Sequence, residues 1–438
     1  MASCAIGPNY SRPETATPQA YKEAGDWIVA QPNDAAPKGK WWEVFNDPVL
    51  NALEERVSVS NQTLKAAEAR YRQARAAVQV ARSGLFPTIS LNSGATRSRG
   101  AANRYNIELD ARWEIDLWGR IRRQVEAARA GEEASAADVE NARLSLQAEL
   151  ATNYFQLRAT DATLDLLEDT VKAFDASYKV TQNRYNAGVA QRVDVVQAET
   201  QLRSTEAQAI DQRVTRAQLE NAIAVLVGEM PSTFTLPRAP FKVRIPEIPP
   251  GVPSTLLERR PDIAAAERNM AAANARIGIA EAAYFPALSL TGAIGFASNE
   301  LRTLFSAPSR FWSVGAGLAG TVLDFGARGG AVTQARAAYE EQVANYRETV
   351  LEGFQEVETN LAAAHWLAEE SKVQQDAARA ARESVALTVN QYKAGTVSYL
   401  NVVQVQATQL SEERSTVTIL NRRLAATVAL IRALGGSW

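Results

Sequence analysis

Two periodicities divide this chain. Between Gly119 and Asn186 there is no proline, and Leu150, Leu157, Leu164, Val171, Tyr178 and Tyr185 return every seven residues. That spacing lets one helical seam face another. Helical throughout, the segment would run about 100 Å at about 1.5 Å per residue, several times the width of a compact domain. A second long segment repeats the theme: Val343, Tyr346, Val350, Phe354, Val357, Leu361 and Ala364 follow one another by threes and fours, and Val403, Leu410, Val417, Leu424 and Ile431 recur by sevens. A strict sevenfold row predicts left-handed supercoiling of neighbouring helices. Glycine in Asn186-Ala187-Gly188-Val189 and Lys393-Ala394-Gly395-Thr396 predicts the turns between outgoing and returning helices, so each half contains a long helical hairpin.

The other periodicity is two. In Arg104 to Asp116 one face reads Tyr105, Ile107, Leu109, Ala111, Trp113 and Ile115, and the other is polar or charged throughout. Ala287 to Ala297 alternates with Leu288, Leu290, Gly292, Ile294 and Phe296 on one face. Thr88 to Thr96 and Ser313 to Leu323 alternate more weakly. Four strands are predicted. Each follows or precedes a helix at a Phe-Pro dipeptide or a short glycine turn.

These elements come in two copies. Ala81 to Leu91 returns as Ala280 to Leu290, with Phe86-Pro87 matched by Phe285-Pro286; Asp116-Leu117-Trp118-Gly119 returns as Asp324-Phe325-Gly326, one residue shorter. Arg184-Tyr185-Asn186-Ala187-Gly188 matches Gln391-Tyr392-Lys393-Ala394-Gly395, and Tyr185 to Gly228 and Tyr392 to Gly435 both span 43 positions. Chance likeness between alanine-rich helices would not keep that register. The expected organisation is an extended N-terminal segment at 1–40 and a first repeat at 41–230, with strands at about 87–116 and a hairpin tip near 186–190. A connector follows at 231–261, then a second repeat at 262–438 with strands at about 286–324 and a tip near 393–397. The connector holds eight of the 17 prolines, which disfavour long helix and central strand alike.

A soluble antiparallel sheet alternates in the same way. What favours a membrane wall is the combination of strand length, aromatic residues near the strand ends at Tyr105, Trp113, Phe296 and Trp312, and a charged second face suited to a wet lumen. Four strands cannot close a barrel, whose smallest membrane forms need about eight, and open edges cannot face lipid. The strand count therefore calls for several chains.

Composition narrows the function. Lys plus Arg number 47 against 49 Asp plus Glu, so nothing draws the chain to nucleic acid. One cysteine and one histidine leave no internal disulfide, no thiolate metal cluster and little acid–base chemistry. No set of nucleophile, base and orienting group is suggested, and no cofactor or metal is expected; the chain reads as a non-enzyme. Ala282 to Asn299 is uncharged, but Pro286, Gly292 and Gly295 argue against a membrane helix. Met1-Ala2-Ser3-Cys4 has neither the basic start nor the apolar core of a secretory signal.

The quoted motifs, with Cys4-Ala5-Ile6-Gly7-Pro8-Asn9-Tyr10, Trp42 to Leu50 (WEVFNDPVL), Trp113-Glu114-Ile115-Asp116-Leu117-Trp118-Gly119, Pro253 to Ile263 (PSTLLERRPDI) and Ala433-Leu434-Gly435-Gly436, resemble the TolC-like outer-membrane efflux proteins over nearly the whole chain, in their OprM/NodT-type lipoprotein branch. The resemblance implies a mostly α fold with a small membrane β-barrel: a homotrimer giving four strands per chain to one twelve-stranded barrel, a coiled-coil α-barrel in the periplasm and a mixed equatorial belt. It implies an exit duct of a tripartite efflux system, carrying drugs or other small toxic compounds outward. It further implies contact with outer-membrane lipid, a periplasmic membrane-fusion adaptor and an inner-membrane pump of the RND type. The tips Ala187, Gly188, Val189, Ala394, Gly395 and Thr396 would meet the adaptor. Pro87 and Pro286 would mark the swivels from helix to strand, with Gly119 and Gly326 at the return crossing. Cys4 would be acylated, anchoring the chain in the outer membrane; a stray thiol is the alternative. A heavy-metal or protein secretion duct is the runner-up, and a purely structural coiled coil leaves the strands unexplained.

Single residues are weighed against blander roles. His365, among alanines in a long helix, is taken as structural. The rows Glu348, Glu352, Glu356 and Asp161, Asp165, Asp169 read first as a solvated helix face, and second as an acidic lumen. Asp194 is expected to cap or brace a helix. The resemblance places a pore constriction inside the second tip, with Leu400 as its apolar residue and Gln404 where OprM-type relatives carry aspartate. The departure at Gln404 predicts a closed pore of low cation selectivity. Gln404→Asp should raise the cation-to-anion permeability ratio in planar-bilayer recordings, and an unchanged ratio would remove Gln404 from the constriction.

Overall fold

The structure, a computed structural model, describes residues 5–13, 39–246, 248 and 259–436. A 3-10 turn, Trp41–Phe45, leads into α1 (Pro48–Ser60) and α2 (Gln62–Ser83). Strands β1 (Thr88–Thr96) and β2 (Arg104–Ile115) follow, then α3 (Arg120–Asn186) and α4 (Arg192–Leu226). The second copy runs α5 (Pro261–Ala282), β3 (Ala287–Ser298), β4 (Arg310–Ala319), α6 (Ala327–Lys393) and α7 (Tyr399–Ala433). The long helices α3 and α6 each have 67 residues, and their returning partners α4 and α7 each have 35.

The strands form one antiparallel sheet in the order β1-β2-β3-β4. The middle ladder, β2 with β3, joins the first copy to the second. The chain accordingly divides into two compact units that cut across the repeats: Met1–Ala16, Ala66–Glu140 and Pro261–Leu351 in one, Thr17–Lys65, Asn141–Arg260 and Glu352–Trp438 in the other.

In the first unit each strand-to-helix crossing is capped by the repeated aspartate. Asp116 accepts the backbone N–H of Ile121 at 3.2 Å and of Arg122 at 2.9 Å, and also the Arg122 Nε. Asp324 accepts the N–H of Gly326 and of Arg328, with the Arg328 guanidinium beside it. A carboxylate here satisfies orphan donors of the first turn and meets the positive end of a 67-residue helix. Residues 5–13 lie extended against the same unit. Buried Arg123 donates to the carbonyls of Ile6 (3.1 Å) and Gly7 (3.0 Å) and to Asn9 Oδ1 (3.0 Å), while Asn274 donates to Pro8 O (3.0 Å) and Tyr10 to Glu267 (3.1 Å). Any side chain at Gly7 would stand 2.4 Å from the Cα of Gly278, and Gly7 also sits at φ 93°, so two glycines are needed where strap and helix touch. Cys4 lies outside the described residues, and the expected segment 1–40 is described only at 5–13 and 39–40.

The second unit carries the main apolar core. Trp41, Trp42 and Phe45, Leu50, Leu53 and Val57 of α1, Leu150, Phe155 and Leu157 of α3, and Val357, Leu361, Leu424 and Ile431 of the second hairpin pack together with Phe234, Leu236 and Ile248 of the connector. The sevenfold rows are buried where they enter this core and partly exposed toward the tips, as Tyr178 and Tyr185 show.

Three expectations need correcting. The fourth strand was expected over Ser313 to Leu323 but runs Arg310–Ala319, leaving Val322 97 % exposed; β3 begins at Ala287, opposite Ala319, and offers no earlier residue to continue the ladder. The Asp161 row is not a solvated face throughout. Asp161 is fully buried, paired with Arg158 at 3.2 Å and Arg216 at 2.7 Å, and these arginines donate to the connector carbonyls of Pro237 and Leu236. Glu356 likewise clamps Arg260 (2.7 Å) and Arg432 (2.8 Å) instead of standing free.

One buried acid has no such partner. Glu54 in α1 is 0 % exposed and neither carboxylate oxygen has a hydrogen-bond partner; burial alone pushes its pKa well above the usual carboxyl range. With the native pKa raised, the stability this group confers is complete below the ordinary carboxyl pKa and is lost as pH rises through the raised value. Glu54→Gln should therefore raise the thermal midpoint at pH 8 and leave it nearly unchanged at pH 4; equal effects at both pH values would contradict a neutral Glu54. By contrast, Asp161→Ala takes the carboxylate from the buried Arg158 guanidinium and from half-buried Arg216 and should destabilise the protein by about 3–5 kcal/mol. Lys172→Ala, which breaks a pair about 75 % exposed on both sides, should cost about 0–1 kcal/mol. Heat denaturation followed by circular dichroism separates the two.

Candidate functional site

The sheet register sorts the side chains into two unlike faces. Paired residues share a face, and the pairs Ile107–Phe296, Leu109–Ile294, Trp113–Leu290 and Ile115–Leu288 put apolar residue opposite apolar residue along the middle ladder. Leu91 opposite Leu109 and Leu288 opposite Leu318 extend that face to both outer strands. The opposite face carries Asn92, Glu108, Asp110 and Arg112 from β1 and β2, and Ser289, Thr291 and Ser313 with several glycines from β3 and β4. Ile89, Leu91, Ile294, Trp312, Val314 and Leu318 are all exposed. An apolar surface of this kind on a sheet does not face water.

Aromatic residues bracket the apolar face. Tyr105, Phe296 and Trp312 sit toward the hairpin ends, and Trp113 toward the helix ends. From Tyr105 to Trp113 the strand climbs about 27 Å at about 3.4 Å per residue, close to the apolar band of about 25 Å in outer-membrane barrels. Among the described residues no helix is long and apolar enough to cross a membrane. Both outer strands, β1 and β4, have an open edge within the chain.

At the junctions, Pro87 directly precedes β1 and Pro286 directly precedes β3, while Gly119 (φ 82°) and Gly326 (φ 95°) directly precede α3 and α6. Two tryptophans bind the turns together: Trp113 Nε1 donates to Leu85 O at 3.1 Å, and Trp118 Nε1 to Pro286 O at 2.8 Å, its indole 4.8 Å from the Phe285 ring. The tryptophans were legible as strand-end aromatics or motif residues; the Trp118 hydrogen bond across the copies was not, because it depends on the β2·β3 pairing.

The two tips close in the same way. Val189 N–H reaches Arg184 O at 2.8 Å and Thr396 N–H reaches Gln391 O at 3.0 Å, each wrapping a left-handed glycine, Gly188 or Gly395. Ala187, Gly188, Val189, Ala394, Gly395 and Thr396 are all exposed. Beneath them Tyr392, Tyr399, Val402 and Ala198 form a small buried cluster. The Arg184 guanidinium lies 4.7 Å from the Tyr392 ring centre and Tyr392 lies 5.3 Å from Tyr399; burial raises the Tyr399 pKa although Ser177 and Thr181 hydrogen-bond to it. Sequence reasoning did not single out this cluster. Its signal was Arg184 standing where the second copy has Gln391.

The tips differ at the start of their returning helices. Asp194 accepts the N–H of Gln191 at 3.2 Å, a helix-bracing role, whereas Ser398 at the start of α7 makes no side-chain cap. Leu400 and Gln404 are exposed one turn apart on α7. His365 is exposed with its ring against Trp366 at 4.8 Å. Among the described residues no group of three His, Cys, Asp or Glu side chains could hold a metal ion.

A family model described as outer membrane efflux protein matches residues 54–229 and 252–436, the two repeats in turn. The antibiotic efflux pump outer membrane protein ArpC of Pseudomonas putida is 30 % identical over 100 % of this chain and 93 % of its own length. Outer membrane protein OprJ of Pseudomonas aeruginosa is 31 % identical over 100 % of this chain and 94 % of its own. Among solved structures, the outer-membrane channel OprN is similar with a TM-score of 0.90 and 30 % identity, covering 99 % of this chain and 100 % of that one. With an internally duplicated TolC-like fold, an amphipathic four-stranded wall and matches across both repeats, this chain belongs to the outer membrane efflux protein family.

Proposed function

We propose that this channel works as a homotrimer, a passive exit duct through which drugs or other small toxic compounds leave the cell. The observation that carries the reading is the sheet: one face apolar, the other polar, and both edges open. Lipid suits the first face and a water-filled lumen the second; the open edges demand pairing with further copies. Three chains would supply twelve strands. Its work is passage, and the energy for export must come from elsewhere in the tripartite efflux system to which its relatives belong.

The exposed turns at Ala187–Val189 and Ala394–Thr396 are the proposed contact with a periplasmic membrane-fusion adaptor, itself joined to an inner-membrane pump of the RND type. Leu400 and Gln404 form the proposed constriction, Pro87, Pro286, Gly119 and Gly326 the proposed swivels, and Cys4 the proposed site of acylation at the outer membrane. A relative whose name specifies antibiotic efflux favours drugs as cargo.

Planar-bilayer recording on detergent-extracted protein is the direct test. Trimer-sized particles with discrete conductance steps are expected; particles of single-chain size without conductance would overturn the duct.

A further inference from the structure

The helices of the two copies correspond through constant shifts in numbering. Adding 199 to Gln62–Ser83 gives Pro261–Ala282, and adding 207 to Arg120–Asn186 and Arg192–Leu226 gives Ala327–Lys393 and Tyr399–Ala433. The same two shifts carry Thr88 opposite Arg112 onto Ala287 opposite Ala319, and both pairings are present. A contact made across the seam between the copies therefore specifies a counterpart across the seam between chains.

The inner seam is β2 with β3. At its foot Trp118 lies against Phe285 and Pro286, in a small cavity of about 220 Å³ walled by Ala283, Phe285 and Ala287. The shift of 207 makes Phe325 the equivalent of Trp118. The shift of 199 makes Gly84, Phe86 and Thr88 the equivalents of that wall, and these three residues line a larger groove of about 660 Å³ at the β1 edge. Neither half is covered within the chain: Phe325 is 93 % exposed and Phe86 67 %. Phe325 also holds φ 50°, a left-handed conformation that a bulky side chain rarely adopts, and it is left uncovered among the described residues.

We propose that Phe325 seats against Phe86 and Pro87 of the next copy of this chain, and that β4 continues through Leu323 as it pairs with that copy's β1, Val322 opposite Ile89 and Leu318 opposite Ser93. The inference rests on the homo-oligomeric reading above and adds to it the register and the residue that sets it. Face parity agrees: Leu318 and Ile89 both lie on the apolar face, Val322 falls on it by alternation, and a slip of one residue would set apolar against polar. The extension also gives a partner strand to Gly320 to Leu323, which lie beyond the β3 ladder.

Cysteine pairs read the register. Opposed residues in an antiparallel ladder have Cα atoms about 4.5–5.5 Å apart, within disulfide reach, whereas a shift of two residues opens the pair to about 7–8 Å. On mild oxidation, Ile89→Cys with Val322→Cys in one chain should give covalent dimers and trimers on non-reducing gels, and Leu91→Cys with Val322→Cys should not, with the single variants as controls for Cys4. Phe325→Ala should cut the detergent-resistant trimer fraction about tenfold, while Phe325→Trp, which copies the inner seam, retains it. Cross-linking of the shifted pair alone, or of neither pair in particles that remain trimer-sized, overturns the register. Particles of single-chain size in the unmutated protein would instead overturn the oligomeric reading, and the register with it.

Discussion

Unpaired backbone in a lipid environment is the constraint on which the rest of this structure depends. Each N–H and C=O left open in hydrocarbon costs several kcal/mol, so a strand edge must find another strand. Within the chain, β2 and β3 satisfy one another across the copies, and β1 and β4 are left with open edges. The alternating faces answer the same demand sideways, placing Leu109, Ile294 and Leu318 on one side and Glu108, Asp110 and Arg112 on the other. Duplication supplies the strands in pairs. It cannot finish the wall.

Among the helices the chemistry changes to packing, and the polar residues take on mechanical roles. Asp116 and Asp324 start the two long helices at equivalent crossings. Asp161 and Glu356 gather arginines that hold the connector and the chain's closing helix. These clamps explain why a channel with few catalytic side chains still buries ionised ones: a carboxylate between two guanidinium groups fixes several segments at once, where a single apolar contact would fix one.

Much of this was legible in the sequence, and the reason is periodicity. Sevenfold rows, alternating strands and Phe-Pro or glycine punctuation are local signals, and the repeat checks each against its copy. What stayed hidden depends on distant partners. Glu54 looks like any helix-surface acid until α1 is seen under the core, and Asp161 reads as one of a row until Arg216 arrives from the next helix. The end of β4 was misjudged for a related reason: alternation marks which residues can pair, not whether the partner belongs to the same chain. Arg184 over Tyr392 required knowing that the two tips share a core.

The strap at residues 5–13 has a consequence for the order of events during synthesis. Its binding surface is made of Arg123, Glu267, Asn274 and Gly278, so the strap rests on residues made much later than itself. Loop closure across such separations is slow relative to local helix formation. The strap is therefore among the last parts of its unit to settle, since its seat exists only once residues more than 250 positions further on have folded.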